Sequence, residues 1–384
     1  MRQVLRIAGA IGVGAALLAW WAFREPDLSR VSIDSFADLE RELEGLRERS
    51  RIPGMSAAIA VDGQLVWEHG FGVANQERGT AATPDTIYPL SSVTKTYAST
   101  VLLQLVEQGR LDLNAPVADF GVELQRRQPV KVWHLLSHTS GDPPGTNYRY
   151  DGGAFGSLTR VVEGVTGRPF AAELADRIIR PLGLSRTAPY PGDLRGFWSV
   201  VASLELAPGA IEEQRGVFAA AGLDRAPIEA ALAQGYARAW GRWIWPSGLF
   251  GPMRAMPHGL TLSAAGGLVA SAPDVARFAI ALDEGRLLKD DTWRRAWTVL
   301  QTPDGRTLPY ALRWFVQQHD STTLVWHYDH MLENSSLIVK VPQRRSTFVI
   351  LANSDGLSRW RSLGDDANVL ASPAAVLFLR WLLR

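Results

Sequence analysis

Ser92-Val93-Thr94-Lys95 is the one Ser-x-x-Lys in this chain. A serine hydroxyl is a weak nucleophile and needs a base beside it. At the start of a helix, positions i and i+3 share a face, so this spacing brings a lysine amine to the hydroxyl. The amine acts as a base only when its pKa is depressed, and burial and the positive end of a helix both push that way. The N–H of Ser92, at the helix start, would donate to the oxyanion of a tetrahedral intermediate. By itself the tetrapeptide reads more readily as a serine cap followed by a solvated lysine. One compositional fact weighs against that. Of 40 basic residues only four are lysines: Lys95, Lys131, Lys289 and Lys340. Arginine does not lose its proton in a protein, whereas a buried lysine can. In so arginine-rich a chain, a lysine marks a place where arginine would not serve.

Other residues of chemical promise carry less. His134 and His138 stand at i, i+4, as zinc ligands on a helix can, but Leu135 follows the first histidine where zinc hydrolases of that type have glutamate. The segment is read as structural. No Gly-x-Ser-x-Gly occurs, so an α/β-hydrolase elbow is not supported. Without cysteine, disulfides, thiol catalysis and zinc–thiolate sites are excluded. A net charge of +1 gives no footprint for nucleic acid. Trp240, Trp243 and Trp245 suit packing, or the lining of an apolar acyl pocket.

The elements that must position the Ser–Lys pair are readable in outline. Ser35 to Ser50 spaces Phe36, Leu39, Leu43 and Leu46 as an amphipathic helix. Met55 to Val61, a tight turn at Asp62-Gly63, and Gln64 to Glu68 read as a β-hairpin. Helices are expected over Thr96–Gln108, Leu158–Val165 and Pro373–Leu383, and within Ser263–Leu282 after a turn of small residues. Thr323–Trp326, Ser336–Val341 and Thr347–Ala352 read as antiparallel strands. Tyr190 to Pro257 resists assignment. At the N-terminus, Arg2 and Arg6 precede an apolar run from Ile7 to Phe23. The expectation is a signal anchor, or a cleaved signal peptide, over 1–24. A linker over 25–34 and one domain over 35–384 would follow. In that domain, residues 35–90 and 300–384 form an α/β part and 91–299 a helical part. The domain would face outward, anchored in the inner membrane on its periplasmic or extracellular side, or be free in the periplasm after cleavage.

A longer series of motifs surrounds the pair. In order come Ile52-Pro53-Gly54-Met55, Pro84-Asp85-Thr86-Ile87-Tyr88, Ser91 to Lys95, and Leu105 to Leu113. Trp133 to Gly141, Glu163 to Gly167 and Ser263 to Leu268 follow. From about Ser35 to the C-terminus the chain resembles the beta-lactamase-related serine hydrolases. These include class C beta-lactamases, D-alanyl-D-alanine carboxypeptidases, D-aminopeptidases and family VIII esterases. The resemblance implies an α/β (α+β) fold: an antiparallel sheet flanked by helices plus a helical subdomain, with the active site between them.

It also implies site residues. Ser92 would be the nucleophile and Lys95 its partner. Family members usually carry Tyr-x-Asn ahead of the Glu163 stretch; here Tyr150-Asp151-Gly152 stands there, with Tyr148 as a rival. Tyr150 would act as general base in acylation and relay a proton to the leaving group, and would need Lys95 close by to favour phenolate. The family's strand triplet, Lys-Thr-Gly or His-x-Gly, corresponds to His327-Tyr328-Asp329, with aspartate in place of glycine. His327 and Asp329 would line the substrate, and the N–H of His330 would complete the oxyanion site. The expected chemistry is acyl transfer from an ester or peptide-like amide, with beta-lactams disfavoured and no metal or organic cofactor. The alternative is a catalytically degenerate, membrane-anchored binding module with the same fold.

Overall fold

The computed structural model describes residues 28, 31–191, 216–239, 242–244, 262–331, 333–357, 363–364 and 367–384. The N-terminal apolar run lies outside them, as do the side chains of Trp240, Trp243 and Trp245. Among the described residues no helix is long and apolar enough to cross a membrane.

Helices that matter here are α1 (Phe36–Ser50), α2 (Thr94–Glu107), α3 (Gly152–Gly156), α4 (Leu158–Thr166), α5 (Ala272–Asp283) and α6 (Pro373–Leu382). Helix α1 starts where the Ser35 hydroxyl accepts the Asp38 N–H, and buries Leu39, Leu43 and Leu46 on one face. The strands are β1 (Gly54–Val61), β2 (Gln64–Asn75), β3 (Thr80–Ala81), β4 (Phe315–His319), β5 (Thr322–Met331), β6 (Asn334–Val341) and β7 (Ser346–Ala352). Asp62 and Gly63 both take positive φ, 49° and 78°, as a two-residue hairpin turn requires.

All seven strands form one antiparallel sheet in the order β3-β2-β1-β7-β6-β5-β4. Strand β1 pairs with β7, Met55 opposite Ala352, so residues far apart in the chain close the sheet. Alternation divides each strand between two cores. On β7, Phe348 and Ile350 face the layer of α1 and α6, while Val349 and Leu351 face α5 and the helical half. Strand β2 runs seven residues past the expected Glu68. Gly70 makes this possible, because a Cβ there would sit 2.3 Å from the Ala82 carbonyl oxygen. Gly70 thus permits a close backbone approach.

A second sheet was not anticipated. Leu268–Ala270 lies between Tyr88–Pro89 and Thr187–Pro189, antiparallel to both. It ties the segment before Ser92 to the segment after Ser263–Gly267, and so sets the geometry of the site.

Candidate active site

Ser92 sits in a single helical turn, Ser91–Val93, that runs straight into α2. Ser91 has φ +44°, a conformation that costs a non-glycine residue about 1 kcal/mol or more. The surroundings hold it there. The Asn334 carboxamide donates to the Ser91 hydroxyl (3.2 Å) and the Pro89 carbonyl (3.3 Å). The Ser336 hydroxyl donates to the Leu90 carbonyl (3.1 Å), and the Leu90 N–H donates to the Leu268 carbonyl (2.8 Å). Strand β6 and the small sheet therefore clamp the backbone just ahead of a partly exposed Ser92. From behind, the buried Arg313 guanidinium donates to the Thr100 hydroxyl of α2 (2.5 Å) and lies over the Trp293 ring, 4.7 Å from its centre.

Lys95 is 1% exposed. Its Nζ donates to Ser92 Oγ at 2.8 Å and to the Ala265 carbonyl at 2.9 Å. It lies 5.0 Å from the centre of the Tyr150 ring and 5.5 Å from that of Phe155. Burial pulls its pKa down to about 8, against an opposing pull from the charge of Asp329. An appreciable fraction is therefore neutral near physiological pH, in contact with the hydroxyl it would deprotonate.

The structure brings Tyr150, rather than Tyr148, to this pair. The residue is 38% exposed, and its hydroxyl is near enough to Ser92 for a hydrogen bond to act on its pKa. Tyr148 packs instead with Tyr310 and Phe315. The expected route to phenolate is not met. Burial first, then the charge of Asp329, push the Tyr150 pKa well above 10, outweighing the Ser92 hydrogen bond. The phenol keeps its proton, so its chemistry is that of a donor. Asp151 caps α3 through the Ala154 N–H (2.9 Å). At Gly152, where the family pattern has asparagine, an added Cβ would meet nothing within 4 Å.

His138 underlies Tyr150, the rings stacked at 4.2 Å. Its Nδ1 accepts the Asp151 N–H (3.0 Å), and burial, then the Lys95 charge, hold it neutral. His134 Nδ1 likewise accepts the Lys131 N–H (2.9 Å). Both imidazoles brace backbone, and no cluster suited to a metal ion occurs among the described residues.

His327 needs a correction. It was expected against the substrate, but it is 0% exposed, with Nδ1 on the Tyr328 carbonyl (3.0 Å) and Nε2 on the Tyr310 hydroxyl (3.1 Å). A carbonyl only accepts, so Nδ1 carries the proton and Nε2 accepts from Tyr310. Burial, then the Lys95 charge, lower its pKa to about 3, so it stays neutral. The single Tyr310 proton is shared between Nε2 and the Arg313 carbonyl (3.0 Å). His327 is thus a buried support for β5. Asp329, two residues on, shares its face of the strand and is half-buried. His330 lies on β5 opposite Ser335. Strand β4 pairs with β5 only from Thr322 to Trp326, so among the described residues the edge from His327 to Met331 carries no strand on that side.

Three contributors escaped the sequence reading. The Ala265 carbonyl and the Asn334 bracket act through backbone or across a large sequence separation. Glu333, closing the β5–β6 hairpin, is 8% exposed, and burial followed by the charge of Asp329 raises its pKa to about 8.

The sheet, the helical half and the Ser–Lys pair between them define a beta-lactamase/transpeptidase-like fold. A family model described as "Beta-lactamase" matches residues 39–371, and the chain belongs to that family of serine hydrolases. It is 31% identical over 195 residues to penicillin-binding protein 4 of Amycolatopsis lactamdurans, covering 42% of this chain and 51% of that one. It is 30% identical over 189 residues to esterase EstB of Burkholderia gladioli, covering 37% and 48%. The chain spans about half the length of these curated relatives. Among solved structures, the D-amino acid amidase of Ochrobactrum anthropi SV3 superposes with a TM-score of 0.63 at 18% identity, covering 89% of this chain and 98% of that one.

If Tyr150 donates a proton to the leaving group, Tyr150→Phe will distinguish leaving groups. Hydrolysis of p-nitrophenyl acetate, whose leaving group departs as an anion, should slow only a few-fold. Hydrolysis of an ethyl ester should slow by about a hundredfold or more. Equal losses on both would instead make the phenol a base for Ser92.

Proposed function

We propose that this protein hydrolyses an ester or peptide-like amide through an acyl-enzyme on Ser92. The observation that carries the proposal is the 2.8 Å contact between Ser92 Oγ and a fully buried lysine whose pKa is depressed. Neutral Lys95 accepts the hydroxyl proton as Oγ attacks the carbonyl carbon. The Ser92 N–H and an N–H on the open edge of β5, that of His330 in the family pattern, hold the oxyanion. The intermediate collapses as Tyr150 gives its proton to the departing oxygen or nitrogen and regains one from the Lys95 ammonium. Water then attacks the acyl-enzyme, with the same groups moving protons in reverse. No cofactor enters. Esterase, amidase and penicillin-binding names among the relatives support the reaction class. Asp329 in the place of glycine, and the missing asparagine at Gly152, weigh against beta-lactams. The apolar run from Ile7 to Phe23 supports export or membrane anchoring.

Intact-mass spectrometry after incubation with a fluorophosphonate and, separately, a penicillin tests this, with Ser92→Ala as control. A stoichiometric fluorophosphonate adduct, absent from the variant, is expected, with little or no penicilloyl adduct. Protein that takes up neither reagent would make the chain a binding module that keeps the fold without the chemistry.

A further inference from the structure

We propose that the buried Arg313 guanidinium holds a small monovalent anion, chloride, inside the domain beside Trp293 and Trp314. The site is separate from the Ser92 centre and independent of the hydrolase reading: Arg313 meets α2 at Thr100, about two turns past Ser92.

Hydrogen bonding comes first. Arg313 is 0% exposed. Its Nη1 donates to the Thr100 hydroxyl (2.5 Å) and approaches the Thr96 carbonyl at 3.5 Å. Nε and Nη2 are buried and meet no acceptor among the described residues. Those two nitrogens form the side-on fork of the guanidinium, the edge that grips anions with two parallel N–H groups. Indole rings flank the group, their centres 4.7 Å away for Trp293 and 5.8 Å for Trp314. The Trp314 Nε1–H is a further buried donor without an acceptor. Guanidinium and indole nitrogens only donate, so what these three atoms lack is an acceptor.

Charge comes second. Burial lowers the Arg313 pKa to about 9, which leaves the group charged at neutral pH. Asp283, the carboxylate whose charge reaches it, is already engaged at 2.7 Å by Lys340. Lys340 is 1% exposed and lies 5.7 Å from the centre of the same Trp293 ring. Among the described residues, two buried cations therefore share one ring and one carboxylate. A buried charge is costly unless an opposite charge and hydrogen bonds meet it. An anion on the Nε–Nη2 fork supplies both. Enclosure sets its size. Arg313, Trp314 and Trp293 are 0%, 0% and 7% exposed, and a larger oxyanion would bring more oxygens than three spare donor atoms can answer.

Crystals of the full chain grown in sodium bromide test this directly, because bromide takes the place of chloride and is located by its anomalous scattering. A bromide peak within hydrogen-bonding reach of Arg313 Nε and Nη2 is expected. An ordered water at that fork, or no peak there, would overturn the proposal. Thermal unfolding of the full chain gives a second reading, with gluconate exchanged for chloride at constant ionic strength. The Tm should rise by about 4 °C along a saturating curve up to about 200 mM chloride, and bromide should act alike. Arg313→Met should lose this dependence, whatever its own Tm. A Tm indifferent to the anion, or an equal chloride response in Arg313→Met, would also overturn the site. Should Arg313→Met fail to fold, the bromide peak in the unaltered protein decides alone.

Discussion

Lys95→Arg is expected to lower the rate of Ser92 acylation by about a thousandfold. Its guanidinium stays charged at every accessible pH, so it keeps the positive charge and removes the base. Lys95→Met, which removes the amine but keeps an unbranched stem, should lose as much and shows whether the larger guanidinium merely disturbs the fold. With the unaltered protein, the acylation rate should rise about tenfold per pH unit below pH 8 and level off above it, because only neutral Lys95 accepts the proton and its pKa lies at about 8. A rate independent of pH from 6 to 9 would remove Lys95 from the role of base. The same shift acts on stability. Below about pH 8 the folded chain holds a buried ammonium that the unfolded chain keeps in water, at a cost of about 3 kcal/mol. That cost fades as pH rises from about 8 to the ordinary lysine value of 10.5.

The scarcity of lysine pointed to Lys95, and its limits are instructive. Two of the four lysines, Lys95 and Lys340, are buried, while Lys131 is half-buried and Lys289 exposed. Burial of a lysine therefore marks either a base or an ion pair, and only the neighbours tell which. Arg313, 0% exposed, shows that this chain also buries arginine. Local periodicity and short spacings carried helices, strands and the Ser92–Lys95 pair, whose members stand one turn apart, whereas Tyr150 followed only from the resemblance to the family. Neither could reveal that His327 is sealed behind Tyr310, that Asn334 braces a strained Ser91, or that the Ala265 carbonyl holds Lys95. Those contacts join residues separated by 17, 243 and 170 positions. They depend on register and backbone direction, which residue types alone do not specify. The Tyr150 proton is a similar case. Its retention follows from burial and from Asp329, which arrives from a distant strand.

The second large effect concerns Lys340, near the end of β6. Its Nζ is 2.7 Å from Asp283 Oδ2, 3.0 Å from the Thr347 hydroxyl and 3.2 Å from the Ala279 carbonyl. Burial lowers its pKa, and the charge of Asp283 pulls it back. The two partners are unequal: the lysine side chain is 1% exposed and the aspartate 19%. Removing the negative charge leaves a dry ammonium with only neutral acceptors; removing the lysine leaves a carboxylate that water still reaches. Asp283→Asn is therefore expected to cost about 3 kcal/mol, while Lys340→Met costs within about 1 kcal/mol. The double variant should recover most of the loss, because neither charge remains. Urea unfolding followed by tryptophan fluorescence reads this as a lower midpoint at unchanged slope. Equal losses from the two single variants would mean that the pair contributes through its attraction rather than through the cost of an orphaned charge. The pair also bears on the active site. It fastens the end of α5 to the sheet, and Phe278 of α5 stacks on Tyr97 of α2 at 3.8 Å. If that chain of contacts sets where Ser92 stands, Asp283→Asn and Lys340→Met, each of which removes the fastening, will both slow acylation even in buffer where the protein is fully folded.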